Sequence, residues 1–367
     1  MKGSIKNKAT STFVSANGFT GFRSQYDKVF RQEEFKRIFV IKGGPGTGKS
    51  TLMRKIADRY KEKVKETIIY CSSDPTSLDG VILSNGSIKI GLVDATAPHE
   101  RDAQYPGVCD EIINLGEALN PKNLSAFRER IFALASLKKS AYKKGYDILA
   151  LSGSISRYVL SYFNNCDIYN WAEGFISNLF IQAEESIDID GHVGYSSAFS
   201  RYGRCLISDF LPRENDYIIH GNGFSDYLAM QSISMILRER NIRFVTLPSP
   251  LSDDMIDVII TPNFRIYAGQ LFNNSTVISP SKETVPIQET KISGSPISLP
   301  DNLYCIGLSL PASLGIAYED SLRLSSEFFK EASDSHFALE KIYSSAMDFS
   351  KCEIHCENII SKIDALL

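Results

Sequence analysis

No stretch of the sequence approaches the run of about 18 apolar residues that a membrane-spanning helix needs, so a helical membrane protein is not expected. The first residues, MKGSIKNKATSTFVSANGF, are mildly basic but lack the apolar core of a signal peptide, and the expected location is the cytoplasm. Charge of one sign is not in excess. Forty Lys and Arg face 43 Asp and Glu, a formal net charge of −3, which gives no global electrostatic reason to expect nucleic acid or an anionic membrane as partner. Cysteine pairing is not legible either: the seven cysteines are odd in number and scattered through 367 residues, and they read as reduced thiols rather than a disulfide framework. Only Cys352, His355 and Cys356 cluster, at i, i+3 and i+4 of an expected helix, and the sequence supplies no further ligand to complete a metal site there. What remains is ordinary globular material, 43% hydrophobic and 23% charged, long enough for two or three domains.

One segment departs from this plainness. In KRIFVIKGGPGTGKSTLMRKIADRYKEK, Gly43-x4-Gly48-Lys49-Ser50 is a complete phosphate-cradling P-loop pattern. Arg37 to Lys42 before it is rich in Ile, Phe and Val, as a buried parallel strand is. After it, Leu52, Met53, Ile56, Ala57, Tyr60 and Val64 recur at helical spacing. In such a strand–loop–helix unit the glycines let backbone N–H groups point at phosphate oxygens, and the helix N-terminus adds positive dipole. Gly43, Gly44, Pro45, Gly46, Thr47, Gly48, Lys49, Ser50 and Thr51 are therefore the expected ATP-binding residues. Lys49 would reach the β- and γ-phosphates, and the Ser50 hydroxyl would ligate Mg²⁺.

A magnesium site of this kind needs an acid at the end of a second buried strand. Ile88 to Val93 leads into Asp94, about 45 residues after the loop, and Asp94 is the expected magnesium acid. Position 95 is alanine, so a glutamate to polarise water is missing there and the base must come from elsewhere. The segments Cys71 to Gly80 and Ala95 to Glu100 follow strand ends on the ligand side of an open sheet. They offer Asp74, His99 and Glu100 to orient water or a second substrate. The catalytic set expected from sequence is Lys49, Asp94, Asp74 and Glu100.

Asp110 to about Glu185 reads as helices, with Lys138, Lys139, Lys143 and Lys144 as a solvated basic face, and with Trp171 and Phe175 in a core. A second strand–helix unit follows about 177 residues after the first. Phe39 to Gly43 answers to Tyr217 to Gly221, Lys61-Glu62-Lys63 to Arg238-Glu239-Arg240, and Gly80 to Leu83 to Asp257 to Ile260. The second loop, Gly221 to Leu228, has no lysine and no paired hydroxyl, its Asp226 would repel phosphate, and no Asp or Glu occurs from Thr261 through Lys282. Val277 to Asp301, with four prolines, reads as a connector, and Glu319 to Leu367 as a helical tail. The expected fold is α/β: duplicated P-loop NTPase-like parallel sheets flanked by helices, each half followed by a helical segment. The expected domains are residues 1–190, with a helical insertion over 110–185, and residues 191–367, a degenerate copy.

The segments GGPGTGKST, CSSDPTSLDGV, LVDATAPH and YPGVCDEIINLG together resemble a bacterial family of tandem P-loop ATP-binding proteins from spore-forming and related lineages. That resemblance implies the duplicated fold and nucleotide binding but no settled reaction, and this sequence departs from it in the lost second loop. Three functions follow as expectations. The first is a Mg²⁺-dependent ATPase that couples hydrolysis to conformational change. The second is a small-molecule or nucleotide kinase, with Arg101, Arg128 and Arg130 as lid cations. The third is a non-enzymatic, nucleotide-gated scaffold. A protein partner, a second substrate or a second copy of the chain is left open by all three.

Overall fold

The computed structural model describes residues 10–98, 100–161, 165–179, 187, 192–221, 224–279, 284–300 and 312–367. The chain forms two compact units. The first comprises Met1–Val14, Ser24–Lys143 and Phe328–Leu367, and the second Ser15–Arg23 and Lys144–Glu327. This differs from a division near residue 190. The C-terminal tail belongs with the first unit, and the long helices Arg128–Leu160 and Ala312–Ser345 are each shared between units.

The first unit holds a six-stranded mixed sheet of β1 (Thr10–Phe13), β2 (Arg37–Lys42), β3 (Lys65–Tyr70), β4 (Leu78–Ser84), β5 (Lys89–Asp94) and β6 (Asp110–Asn114), in the order β1-β3-β4-β5-β2-β6. The Val/Ile-rich β2 lies inside it, parallel to β5 on one side and β6 on the other, with Ile38, Phe39, Val40 and Ile41 fully buried. A continuous apolar run is what a strand covered on both faces requires. β4 runs antiparallel to both β3 and β5, so the sheet is mixed, not parallel as the sequence suggested. Asp110–Asn114 is likewise a strand at the sheet edge, not the start of a helical insertion. The Asp110 carboxylate accepts the Gln104 and Tyr105 N–H groups at 2.8 and 2.9 Å and fixes the turn that feeds it.

Helix α1 (Lys49–Tyr60) buries Leu52, Met53, Ile56, Ala57 and Tyr60, the stripe its periodicity marks out. At about 1.5–3 kcal/mol for each large apolar side chain, this face is what holds the helix in place. Three more helices matter for the site: α2 (Arg128–Leu160), α3 (Ala312–Ser345) and α4 (Phe349–Asp364). α4 lies along α1, with the Tyr60 hydroxyl donating to Asp364 at 2.7 Å and Arg59 donating to the same carboxylate at 3.2 Å.

Glu66 on β3 is 3% exposed, and its Oε1 has no hydrogen-bond partner among the described residues. Burial, then the nearby Asp58, pushes its carboxyl up to about 7. An acid whose folded pKa is raised binds more protons in the native than in the unfolded state, so this group costs stability as pH rises from about 4 through 7. Glu66→Gln removes that cost, roughly 2–3 kcal/mol at pH 8 and much less at pH 5. The midpoint gain of the variant in thermal unfolding is therefore expected to be larger at pH 8; a gain of equal size at both values contradicts the assignment.

The second unit contains a five-stranded sheet of β7 (Tyr217–His220), β8 (Val245–Pro248), β9 (Ile256–Ile260), β10 (Arg265–Ala268) and β11 (Ser295–Ser298), in the order β8-β9-β10-β7-β11. β9 is antiparallel to β8 and β10, whereas β7 is parallel to β10 and β11. Order and pairing senses repeat those of β3-β4-β5-β2-β6 in the first unit. Here β11 and two short strands, Thr276–Ile278 and Thr284–Pro286, come from the proline-rich stretch that reads as a connector. Proline is compatible with β11 because it is an edge strand.

Candidate functional site

β2 ends at Lys42 and α1 begins at Lys49, so the glycine-rich loop spans the gap between a central strand and a helix N-terminus. Gly46 and Gly48 have φ of +69° and +87°, the left-handed region that glycine enters without a Cβ penalty. Thr47 is buried and braces the turn, its hydroxyl donating to the Gly44 carbonyl at 2.9 Å. Gly48 is the N-cap of α1 and offers no side-chain cap, so the first-turn N–H groups receive no acceptor from that position.

The Lys49 ammonium folds back over the loop. It donates to the Gly43 and Gly44 carbonyls at 2.9 Å each and stands 3.7 Å from Asp94 Oδ2. Strand register explains the meeting: Asp94 at the end of β5 is opposite Ile41, two residues before the loop. Its other oxygen accepts the Thr96 N–H at 3.0 Å and the Thr96 hydroxyl at 2.6 Å. Burial holds the Asp94 carboxyl above the usual carboxylate range, Lys49 opposes this, and Asp79 adds to it. The Ser50 hydroxyl faces the start of β4 and accepts the Leu78 N–H at 3.0 Å.

Asp74 closes a turn by accepting from the Thr76 hydroxyl at 2.8 Å and from its N–H at 3.3 Å. Glu100 is exposed and the structure does not bring it to Lys49 or Asp94; Thr51 is exposed as well. His99 lies outside the described residues. Of the arginines proposed for a lid, two have other partners. Arg101 is 7% exposed and donates to the Phe30 carbonyl at 2.9 Å. Arg128 sits over the Phe132 ring at 4.8 Å. Arg130 lines a groove of about 550 Å³ with Phe127, Phe337 and Lys341, and no residue of the glycine-rich loop lines that groove. Lys139, Lys143 and Lys144 are exposed, as a solvated face would be, but Lys138 is not part of that face: its ammonium is hydrogen-bonded to His336 Nδ1 at 3.0 Å.

Two sets of residues are missed by sequence reasoning. Asp79, at the start of β4, is buried beside the Tyr26 hydroxyl and within the field of Asp94. The other set comes from the C-terminal helices. The Glu340 main chain packs against Gly46, its carbonyl oxygen standing where a Cβ on that glycine would lie. Tyr343 lies against Gly44, Phe349 against Gly48, and the Cys352 thiol points at the Thr47 carbonyl 3.9 Å away. No local pattern announces a contact spanning nearly 300 residues.

The second unit presents the same layout with other residues. Phe224, with φ of +75°, precedes a helix over Ser225–Glu239 as Gly48 precedes α1; Asn222 and Gly223 lie outside the described residues. Ala268 is opposite Ile219, the place Asp94 holds opposite Ile41. Register also corrects the sequence alignment by one position. Val258 pairs with Tyr267 as Gly80 pairs with Val93, so Asp257 answers to Asp79 rather than to Gly80. Asp257 is fully buried, 3.7 Å from Arg204, and accepts from Ser197 at 2.8 Å. Asp226 accepts the Gln270 and Tyr227 N–H groups at 2.7 and 3.0 Å, and burial pushes its carboxyl up to about 7. This carboxylate thus occupies one amide at the start of the helix and one beyond the end of β10.

Comparison of the chain with protein-family models, with curated proteins and with solved structures gives no match.

Proposed function

We propose that the chain binds ATP with Mg²⁺ at Gly43 to Thr51 and hydrolyses it, coupling turnover to a change of conformation. The observation that carries this reading is the Lys49 ammonium, folded over the loop and 3.7 Å from the carboxylate at the end of the neighbouring parallel strand. A cation and an acid meet there at an uncapped helix start, with the Ser50 hydroxyl on the next residue, and these are the donor types that a magnesium-bound triphosphate requires. Lys49 and the main-chain amides of the first turn of α1 would hold the β- and γ-phosphates. Ser50 and Asp94 would hold the metal, which when bound supplies charge neutralisation across the phosphate oxygens. Asp74 is the acid assigned to orient water.

The matching strand orders support a finer reading, in which the two units are P-loop-like copies and the second has lost its ligands. Ala268 in place of Asp94, and Asp226 on the main-chain amides, are the observations behind it. The kinase reading draws less support, because Arg101 is tied to the Phe30 carbonyl.

Phosphate release from ATP by the full-length protein, with Mg²⁺ and with EDTA, tests the proposal. Slow release that requires the metal is expected. Saturable binding with no release above background would instead favour the nucleotide-gated scaffold.

A further inference from the structure

β4 runs antiparallel to β5, with Gly80 opposite Val93, so the start of β4 and the end of β5 lie at one edge of the sheet. One step further along that register Asp79 comes opposite Asp94, and directly opposed side chains on neighbouring strands have Cβ atoms about 5 Å apart. Asp79 is 4% exposed. The start of α1 meets the same edge: the Ser50 hydroxyl accepts the N–H of Leu78, the residue before Asp79, at 3.0 Å, and the Lys49 ammonium stands 3.7 Å from Asp94.

Two buried carboxylates that face each other across neighbouring strands repel, and a cation beside them makes the pair tenable. Burial, and Asp79 after it, hold the Asp94 carboxyl above its ordinary range against the pull of Lys49. The second unit answers the same demand with other residues. Asp257 holds the place of Asp79 and Ala268 the place of Asp94. The remaining acid lies 3.7 Å from the Arg204 guanidinium and accepts from the Ser197 hydroxyl at 2.8 Å. Where the neighbouring acid is replaced by alanine, this position still holds a cation, supplied there by the chain itself.

In the first unit the cation beside the pair is Lys49. A triphosphate draws that ammonium to its own oxygens, and the two acids then need another cation. We propose that Asp79 is a second acid of the magnesium site, acting on the metal together with Asp94 once Lys49 has turned to the phosphates. Bound Mg²⁺ keeps several of its waters, so Asp79 can accept from a metal-bound water without a direct bond to the ion. The proposal rests on the magnesium–ATP reading above and adds a residue to it.

Calorimetric titration of ATP into wild type, Asp79→Asn and Asp79→Glu, once with Mg²⁺ and once with EDTA, tests it. The quantity read is the ratio of the affinities in the two media. Asp79→Asn is expected to lower that ratio about tenfold, the scale on which acids around a metal act, with affinity in EDTA no weaker than that of wild type because one anion has gone. Asp79→Glu keeps the charge and is expected to recover part of the ratio. An unchanged ratio in folded Asp79→Asn, or an equal loss in both media, overturns the proposal while leaving ATP binding intact. Should the variants misfold, anomalous scattering from wild-type crystals grown with Mn²⁺ and ATP decides: a peak beside both carboxylates is expected, and a peak beside Asp94 alone overturns the proposal. A wild type that binds ATP equally well in Mg²⁺ and EDTA removes both metal assignments. One that takes up no ATP in either medium removes the ATP-binding reading first and this one with it.

Discussion

Lys49→Ala is expected to weaken ATP binding by about a hundredfold or more while leaving the fold intact. Hydrogen bonds to a charged partner contribute about 1.5–3 kcal/mol each, and an ammonium bridging two phosphates makes at least two, so a loss of about 3 kcal/mol or more is the expected scale. The effect on stability is small by comparison. Lys49 is hydrogen-bonded to the Gly43 and Gly44 carbonyls and faces Asp94, but α1 is anchored by Leu52, Met53, Ile56 and Tyr60 on its buried face. Competition against a fluorescent ATP analogue measures the affinity, and thermal unfolding of the same preparation reports the fold. Wild-type affinity in the variant would remove Lys49 from the site.

Asp94→Asn is expected to abolish the magnesium dependence and lower turnover by about a hundredfold or more, without lowering the unfolding midpoint at neutral pH. The first part follows from losing the acid that holds the metal, whose charge stabilisation in phosphoryl transfer is several kcal/mol. The second follows from burial. The Asp94 carboxyl is held above its ordinary range, so its ionised form costs stability that grows as pH rises above about 4, whereas asparagine carries no such cost. Thr96 can still donate to the amide oxygen as it does to the carboxylate. A magnesium titration of ATP hydrolysis, paired with thermal unfolding at pH 7, separates the two effects. Retention of the wild-type magnesium response would move the metal to another acid, such as Asp79 on β4.

What the sequence made legible was local. Nine consecutive residues, an apolar strand before them and a helical stripe after them were sufficient to place the loop, Lys49 and Ser50. Asp94 was legible as well, because a buried strand that ends in an acid is a short pattern. The recurrence of strand and helix at Tyr217 to Arg240 pointed to a second sheet, and its repeated strand order emerged only in the structure. Strand direction was not legible. β4 is as apolar as its neighbours, and nothing in Val81 to Leu83 tells a parallel from an antiparallel partner. The edge strands β6 and β11 were hidden for a related reason: each is short, partly exposed and bordered by turn formers, so Ile112 and Ile297 look like loop or helix residues.

The contact between α3 and the loop was the least legible of all. Glu340 sits in a helix whose pattern explains itself by packing, with Phe329 against Tyr142 at 5.7 Å. Its place against the loop emerges only when folding brings residue 340 to residue 46. Lys138 was read with its three exposed neighbours as a basic face for the same reason. A run of lysines does not reveal which of its members turns toward the helix packed against it.

Titration of millimolar MgATP into the folded full-length chain by calorimetry tests the central claim most directly. A saturable heat of association that is lost in Lys49→Ala is the expected result. No heat of association from protein whose unfolding transition is intact would contradict it.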